Sequence, residues 1–241
     1  MRYLHNMKNG KNVNGILLLD KPVGLTSTQA LGRVKFLLGA KKAGHGGTLD
    51  PFASGVLIIF FGTATKLSQT HLGADKSYAT TLRLGVKTNT ADLEGEAISE
   101  RPVHVTMAQL EQTVQRFVGE IDQVPPMYSS IRKNGKHLYE YARAGIEVER
   151  EARHLTIYNM MICEARLDGD KPEVDLCVEC SKGTYIRTLG EDIGEALGCG
   201  ARLSALRRIR SGEFDLTQCV SLAELEAMSE EHRLSCVRGT S

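Results

Sequence analysis

Two uninterrupted apolar runs constrain the fold more than anything else in this chain. Residues 14 to 20 read NGILLLD, and VLIIFFG begins at Val56. Neither run alternates, each is only a few residues long, and turn residues bound them, Asp20-Lys21-Pro22-Val23-Gly24 after the first. Both therefore read as buried strands. Residues 77 to 86 do alternate, with Tyr78, Thr80, Leu82, Leu84 and Val86 on one face. Further strands are expected over 155–163, 173–180 and 203–214, and Asn134-Gly135 marks a two-residue hairpin turn. Helices interrupt these strands. Thr26 or Ser27 caps one whose stripe is Ala30, Leu31, Val34, Leu37 and Leu38, with Gly39 ending it. Thr106 and Gln109 form a capping box for a second, with Leu110, Val114, Phe117 and Val118 as its stripe and Gly119 as its end. A third is expected over 184–197 before Gly198, and Ser221 with Glu224 boxes a last one. Strands and helices mix without strict alternation, which predicts an α+β fold with a mainly antiparallel sheet flanked by helices.

Hydrophobic residues make up 41% of the 241 and charged residues 24%, as in a globular protein with a proper core. The formal net charge is only +1, so any nucleic-acid site must come from local patches. No run approaches the length of a membrane span, and MRYLHNMKNGKNVNG has no apolar signal core. A cytoplasmic protein is expected. The six cysteines are scattered, which favours reduced thiols. Cys177 and Cys180 form a lone C-x-x-C in the alternating EVDLCVEC, an odd spacing that points them to opposite faces. With no second such pair, ordinary structural cysteine is the better reading than zinc.

The stretch GHGGTLDP, residues 44 to 51, is rich in glycine. It fails as a P-loop, because His45 and Gly46 stand where Lys and Ser/Thr belong after Gly39 and Gly44. It fails as a dinucleotide fingerprint, because Leu49 replaces the last glycine. Pro51 biases Asp50 toward extended backbone, and Gly46 with Gly47 lets the loop bend. On the residues alone, Asp50-Pro51 is more simply a helix N-cap with proline at the first helical position.

Basic residues gather in three places. Arg33, Lys35, Lys41 and Lys42 flank the glycine loop, and Arg202, Arg207, Arg208 and Arg210 lie near the C-terminal strand. For any one of the three clusters, a solvated surface is the simpler reading, but the third is more pointed. Arg132, Lys133, Lys136, His137 and Arg143 crowd the hairpin, where Glu140 is the one nearby acid. Such a ribbon suits a phosphate backbone. Tryptophan is absent and aromatics are 5%, which argues against stacking platforms for single strands.

GHGGTLDPFASGVL, with DKPVGLTS before it and SYATTLRLG and SKGTYIRTLGEDIGEALGCGA after it, strongly resembles the TruB family of tRNA pseudouridine synthases. PPMYSSIRKNGKHLYEYARAGIEVEREAR resembles that family's RNA-gripping insertion. The likeness runs in order from about residue 13 to about 215. It implies an antiparallel sheet flanked by helices, a substrate uridine in the T-loop of tRNA (position 55), and an isomerisation that needs no cofactor and no metal. The expected organisation is a catalytic domain over 1–215, an insertion at about 123–153, and a C-terminal helix and tail over 216–241 without the PUA domain of many relatives. A monomer bound to the tRNA T-arm, with no membrane partner, is expected.

The resemblance assigns residues one by one. Asp50 matches the catalytic aspartate, which attacks ribose, attacks the base, or removes a ribose proton; all three remain open. Arg187 matches the arginine paired with it, and Tyr78 the tyrosine that stacks on the flipped base. Tyr185 and Leu206 match pocket-lining residues, and His45 a histidine that fills the space of the extruded base. Asp92, in TNTADLEG, falls in a loop expected near RNA, and Arg132, Lys133 and Lys136 in the gripping hairpin. Lys21 and Pro22 read as loop support. Two rivals stand beside this reading: a catalytically dead RNA-binding or RNA-folding protein, and a small-molecule hydrolase, for which the G-x-S-x-G elbow is missing.

Overall fold

The computed structural model describes residues 10–239; the first nine residues, which bear on the reading of the N-terminus, lie outside it. The chain divides into two compact units at Lys76/Ser77 and at Leu206/Arg207, the flanking segments forming one unit and Ser77–Leu206 the other. In chain order the first unit begins with β1 (Gly15–Lys21), α1 (Ser27–Leu37), β2 (Ala43–His45), β3 (Ser54–Phe61), a 3-10 turn (Gly62–Leu67) and α2 (Ser68–Leu72). Then come β4 (Lys76–Leu84), β5 (Val86–Thr88), β6 (Ala97–Glu100), α3 (Met107–Arg116), β7 (Gly119–Gln123), β8 (Arg132–Lys133), β9 (Lys136–His137), α4 (Leu138–Arg143), β10 (Arg153–Arg166), β11 (Glu173–Cys180) and α5 (Ile186–Ala196). Strand β12 (Ala201–Ser211) returns the chain to the first unit, which closes with β13 (Phe214–Asp215), β14 (Val220–Ser221), α6 (Leu222–Ala227) and α7 (Glu230–Ser235).

The first unit explains its apolar runs. β1 and β3 pair antiparallel, Leu17 opposite Ile59 and Leu19 opposite Leu57. Leu17, Leu19, Leu57, Ile59 and Phe61 join Ala30 and Val34 of α1 and Leu222 and Leu225 of α6 in one cluster. The alternate residues Ile16, Leu18, Val56, Ile58 and Phe60 form a second cluster with Ala64, against which Phe214 and Leu216 pack. A strand covered on both faces has no position to leave polar. β14 runs parallel to β1, and β12 runs parallel to β3 where Arg208 faces Gly55. Gly55 has φ +107°, and a Cβ there would strike the Arg208 backbone, so the close approach requires glycine.

In the second unit the strand order is β12-β4-β11-β10-β7. β10 is antiparallel to both β11 and β7. β4 buries Tyr78, Thr80, Leu82 and Leu84, as its alternation predicts, and β11 buries Val174, Leu176, Val178 and Cys180. Leu110 and Val114 of α3 and Ile186, Leu189 and Ile193 of α5 are buried. β8 and β9 form the expected hairpin; Asn134 at φ +51° and Gly135 at φ +82° match a type I′ turn. The α+β class and the mainly antiparallel pairing hold, with the parallel pairs β1–β14 and β3–β12 making the sheet mixed. Helix α7 was not expected: its described residues bury none of their side chains, so it has no apolar stripe to read. Among the described residues no helix is long and apolar enough to cross a membrane.

Candidate active site

The loop carrying Asp50 is fixed from three directions by groups of its own unit. Leu49 and Phe52 are buried on either side of Asp50-Pro51. The Ser27 hydroxyl, at the first turn of α1, donates to the Leu49 carbonyl at 3.0 Å and accepts from the Leu49 amide at 2.7 Å. The Gly24 amide donates to the Pro51 carbonyl at 2.8 Å. That ties the DKPVG turn to the far side of the loop. The turn is itself held by Lys21, which is fully buried and donates to the carbonyls of Pro22 (2.9 Å) and Leu25 (2.6 Å). No helix follows Pro51. One turn, closed by Ala53 N–H to the Asp50 carbonyl at 3.1 Å, leads straight into β3. The cap reading of Asp50-Pro51 is thereby removed, and half-buried Asp50 is left at the tip of a braced turn.

The third brace is Arg208. Its side chain is 1% exposed. Nε donates to the Val56 carbonyl (2.8 Å), Nη2 to Gly47 (3.2 Å) and Nη1 to Thr48 (3.4 Å). A buried cation is costly unless its donors are met, and here carbonyl dipoles meet them. The surface reading of the C-terminal basic cluster is thus corrected for Arg208. Its neighbour Arg207 donates to Asp20 Oδ2 at 2.7 Å and to Ser54 Oγ at 3.1 Å. His45 ends β2, opposite Ile59, and is half-buried. Its Nδ1 is buried without a hydrogen-bond partner among the described residues. Burial, and then the charge of Arg208, push its pKa below the ordinary histidine value, which favours the neutral ring.

In the second unit, Arg187 sits in the first turn of α5 and is 4% exposed. It donates to the Tyr128 carbonyl at 2.6 Å and to the Thr90 carbonyl at 3.0 Å, and its Nη1 lies 3.8 Å from Asp92 Oδ2. One guanidinium therefore joins two loops. Tyr185 is the N-cap of α5, and its main chain is clamped by buried Gln123, which accepts from the Tyr185 amide (2.8 Å) and donates to its carbonyl (3.1 Å). Tyr78 and Leu206 are buried on β4 and β12. Asp92 departs from the expectation of a contact to RNA. It is 4% exposed, and its carboxylate accepts from Thr90 Oγ1 (2.7 Å) and the Glu94 amide (3.0 Å). It braces its own loop beside Arg187, with no face turned to solvent.

The hairpin is built the opposite way. Arg132, Lys133 and Lys136 are all exposed. Lys133 Nζ reaches the Glu149 carbonyl at 2.6 Å, and Arg132 Nε reaches His137 Nε2 at 3.3 Å. His137 stacks on Tyr139, with Arg143 5.3 Å from the tyrosine centroid. The partners of Arg132 and Lys133 here are an imidazole and a main-chain carbonyl, neither of which carries a formal negative charge, so their charge remains available to an anion. Sequence reasoning missed Ser27, Gln123 and the burial of Arg208; all three act on main-chain groups far along the chain.

Each unit thus carries its own held residues: the braced Asp50 turn in the first, and buried Arg187, Tyr78 and Leu206 in the second. The family model for the N-terminal domain of the TruB family pseudouridylate synthases matches residues 35–186, and the model for the C-terminal domain of tRNA pseudouridylate synthase B matches residues 187–237. The chain belongs to the TruB family of pseudouridylate synthases. It is 60% identical over 223 residues to tRNA pseudouridine synthase B of Ralstonia pickettii, covering 92% of this chain and 70% of that protein. It is 54% identical to the protein of the same name from Chromobacterium violaceum over 91% of this chain and 71% of the relative. Among solved structures, one chain of a Cbf5-Nop10-Gar1 complex superposes with a TM-score of 0.69 at 31% identity, over 93% of this chain. This chain spans 60% of that one. A chain of an H/ACA RNP bound to a substrate RNA containing 2'-deoxyuridine gives 0.64 at 27% identity, over 96% of this chain and 66% of that one.

Proposed function

We propose that this protein isomerises the T-loop uridine of tRNA, position 55, to pseudouridine. The observation that carries the reading is the 60% identity to a tRNA pseudouridine synthase B along 92% of the chain, across the braced Asp50 turn. In this reading the domain that does the chemistry covers 1–215, with 123–153 as the RNA-binding insertion. The base leaves the stack, because its glycosidic bond is out of reach inside a folded RNA. The Asp50 carboxylate drives cleavage of the bond between N1 and the ribose. The uracil turns, and C5 forms the new bond to the same ribose carbon. A proton must then leave C5 and one must reach N1, so the reaction is balanced without an oxidant or reductant. Tyr78 gives the flipped base a face to stack on, and Tyr185 and Leu206 line its pocket. Arg187, as in the family, supports the carboxylate. His45, held neutral, fills stacked space without competing for phosphate. Arg132, Lys133 and Lys136 hold the RNA backbone. The protein works as a cytoplasmic monomer.

The test is to incubate the protein with an unmodified tRNA transcript and map pseudouridine at single-nucleotide resolution. Conversion at position 55 is expected. Binding without conversion would instead favour an RNA-folding protein.

A further inference from the structure

The C-x-x-C motif is not a pair in space, but one of its cysteines has a partner elsewhere. Along β11, Cys180 points into the core with Val174, Leu176 and Val178, while Cys177 lies on the other face. The register of β10 against β11 runs Met161 to Cys177, Ile162 to Leu176, then Glu164 to Asp175. Cys163 is the extra residue of a bulge. In an unbroken ladder Cys163 and Cys177 would be diagonal neighbours, with Cβ atoms up to about 7–8 Å apart. That is too far for a disulfide, which needs roughly 3.5–4.5 Å. A bulge re-aims the side chain it carries. Here it brings Cys163 Sγ to 2.9 Å from Cys177 Sγ.

We infer that Cys163 and Cys177 are an oxidation site, a dithiol that peroxide converts to a reversible disulfide between β10 and β11. The two thiols have unequal settings. Cys163 is exposed and meets the oxidant first. Cys177 is half-buried, and burial together with the adjacent Cys163 sulfur pushes its thiol up to about 11. It keeps its proton and acts second. The Cys163 thiolate attacks one peroxide oxygen, the O–O bond breaks, and hydroxide leaves, giving a sulfenic acid. The Cys177 sulfur then attacks the sulfenic sulfur. The S–S bond forms, the S–O bond breaks, and the Cys177 proton leaves with the oxygen as water. Two thiols lose two electrons, and one peroxide becomes two waters. A thiol reductant returns both thiols. Neither cysteine belongs to the proposed chemistry, so this site stands apart from the uridine reaction. Disulfides of this kind suit a reducing compartment, where they are transient and report oxidation.

The experiment uses the full chain, reduced, desalted and exposed to hydrogen peroxide. Remaining thiols are alkylated before non-reducing trypsin digestion and mass spectrometry. Cys177 and Cys180 share one tryptic peptide, because no Lys or Arg lies between them. Fragmentation must therefore assign the link. The expected product joins Cys163 to Cys177, about 2 Da lighter than the two peptides together, and it disappears with dithiothreitol. In C177S the link is lost and Cys163 advances to the sulfinic acid. Both C163S and C177S change side chains off the core face, and an unchanged melting temperature under reducing conditions checks that each is folded. Three results would overturn the assignment: a wild-type Cys163 overoxidised beside an alkylated Cys177, a link to Cys180 instead, or both thiols alkylated after peroxide.

Discussion

The Asp50 loop of the first unit and the basic hairpin of the second handle positive charge in opposite ways. Around Asp50, Lys21 and Arg208 are buried and spend their donors on main-chain carbonyls. In the hairpin, Arg132, Lys133 and Lys136 stay exposed. A buried cation commits its donors to fixing a backbone; an exposed one keeps most of its donors for a partner that arrives from solvent. The first arrangement suits bond-making, where a small displacement is expensive. The second suits a long polyanion, where many weak contacts add and salt competes with all of them. The two regions should therefore fail differently when altered.

The largest difference is expected from Asp50→Asn. It keeps shape and removes the carboxylate, so turnover should fall by roughly 10⁴ or more, in the range of other lost catalytic groups. Binding of tRNA should change little. Measurable turnover in a preparation free of wild type would end the catalytic reading of the loop. Next is the triple change of Arg132, Lys133 and Lys136 to alanine. Each lost phosphate contact should lower the slope of log K against log salt by roughly 0.7 to 0.9. The single-turnover rate at saturating RNA should stay near wild type. An unchanged salt slope would remove the hairpin from the RNA contact.

Two smaller effects test the braces. Arg187→Lys keeps the charge but cannot reach the Thr90 and Tyr128 carbonyls together. A stranded buried carbonyl costs about 1–3 kcal/mol, and turnover should fall with it. Normal stability and normal turnover in this variant would show that charge alone suffices. Ser27→Ala leaves the Leu49 amide and carbonyl without their shared hydroxyl, again at about 1–3 kcal/mol in denaturant unfolding. A loss of only a few tenths would mean that Ser27 is a helix-terminus residue and no more.

What was legible in the sequence follows the same division. Apolar runs, capping boxes at Thr106 and Ser221, and the Asn134-Gly135 turn are local signals, and the structure contains each of them. The hairpin cations were legible too, because exposure leaves charge to be counted. The braces were not. Ser27 reads as a cap because serine at a helix start usually is one, yet Thr26 takes that role and frees Ser27 for Leu49, 22 residues away. Arg208 reads as surface because arginines usually are, and nothing local marks the carbonyls of Gly47 and Val56 as its partners. Asp92 reads as a loop acid for the same reason. Polar residues that serve distant main chain carry no periodicity, so only the folded chain reveals them.

The smallest effect concerns His45, which lies where the buried charge of Arg208 is felt. Its folded pKa is lowered by burial and by that cation, so the folded protein resists protonating it more than the unfolded chain does. Above the ordinary histidine value, near 6.5, the ring is neutral in both states and contributes no pH dependence. As pH falls from there through the lowered folded value, the unfolded chain takes up the proton first, and stability is lost. His45→Gln removes that proton from both states. The unfolding free energy of wild type minus that of the variant should therefore be flat between pH 8 and about 7, then decline toward pH 5. Denaturant titrations of both proteins across this range measure it. If the difference grows on acidification, the folded state favours the imidazolium. His45 would then behave like the hairpin cations, with a charge to offer, and not as a neutral ring beside a buried arginine.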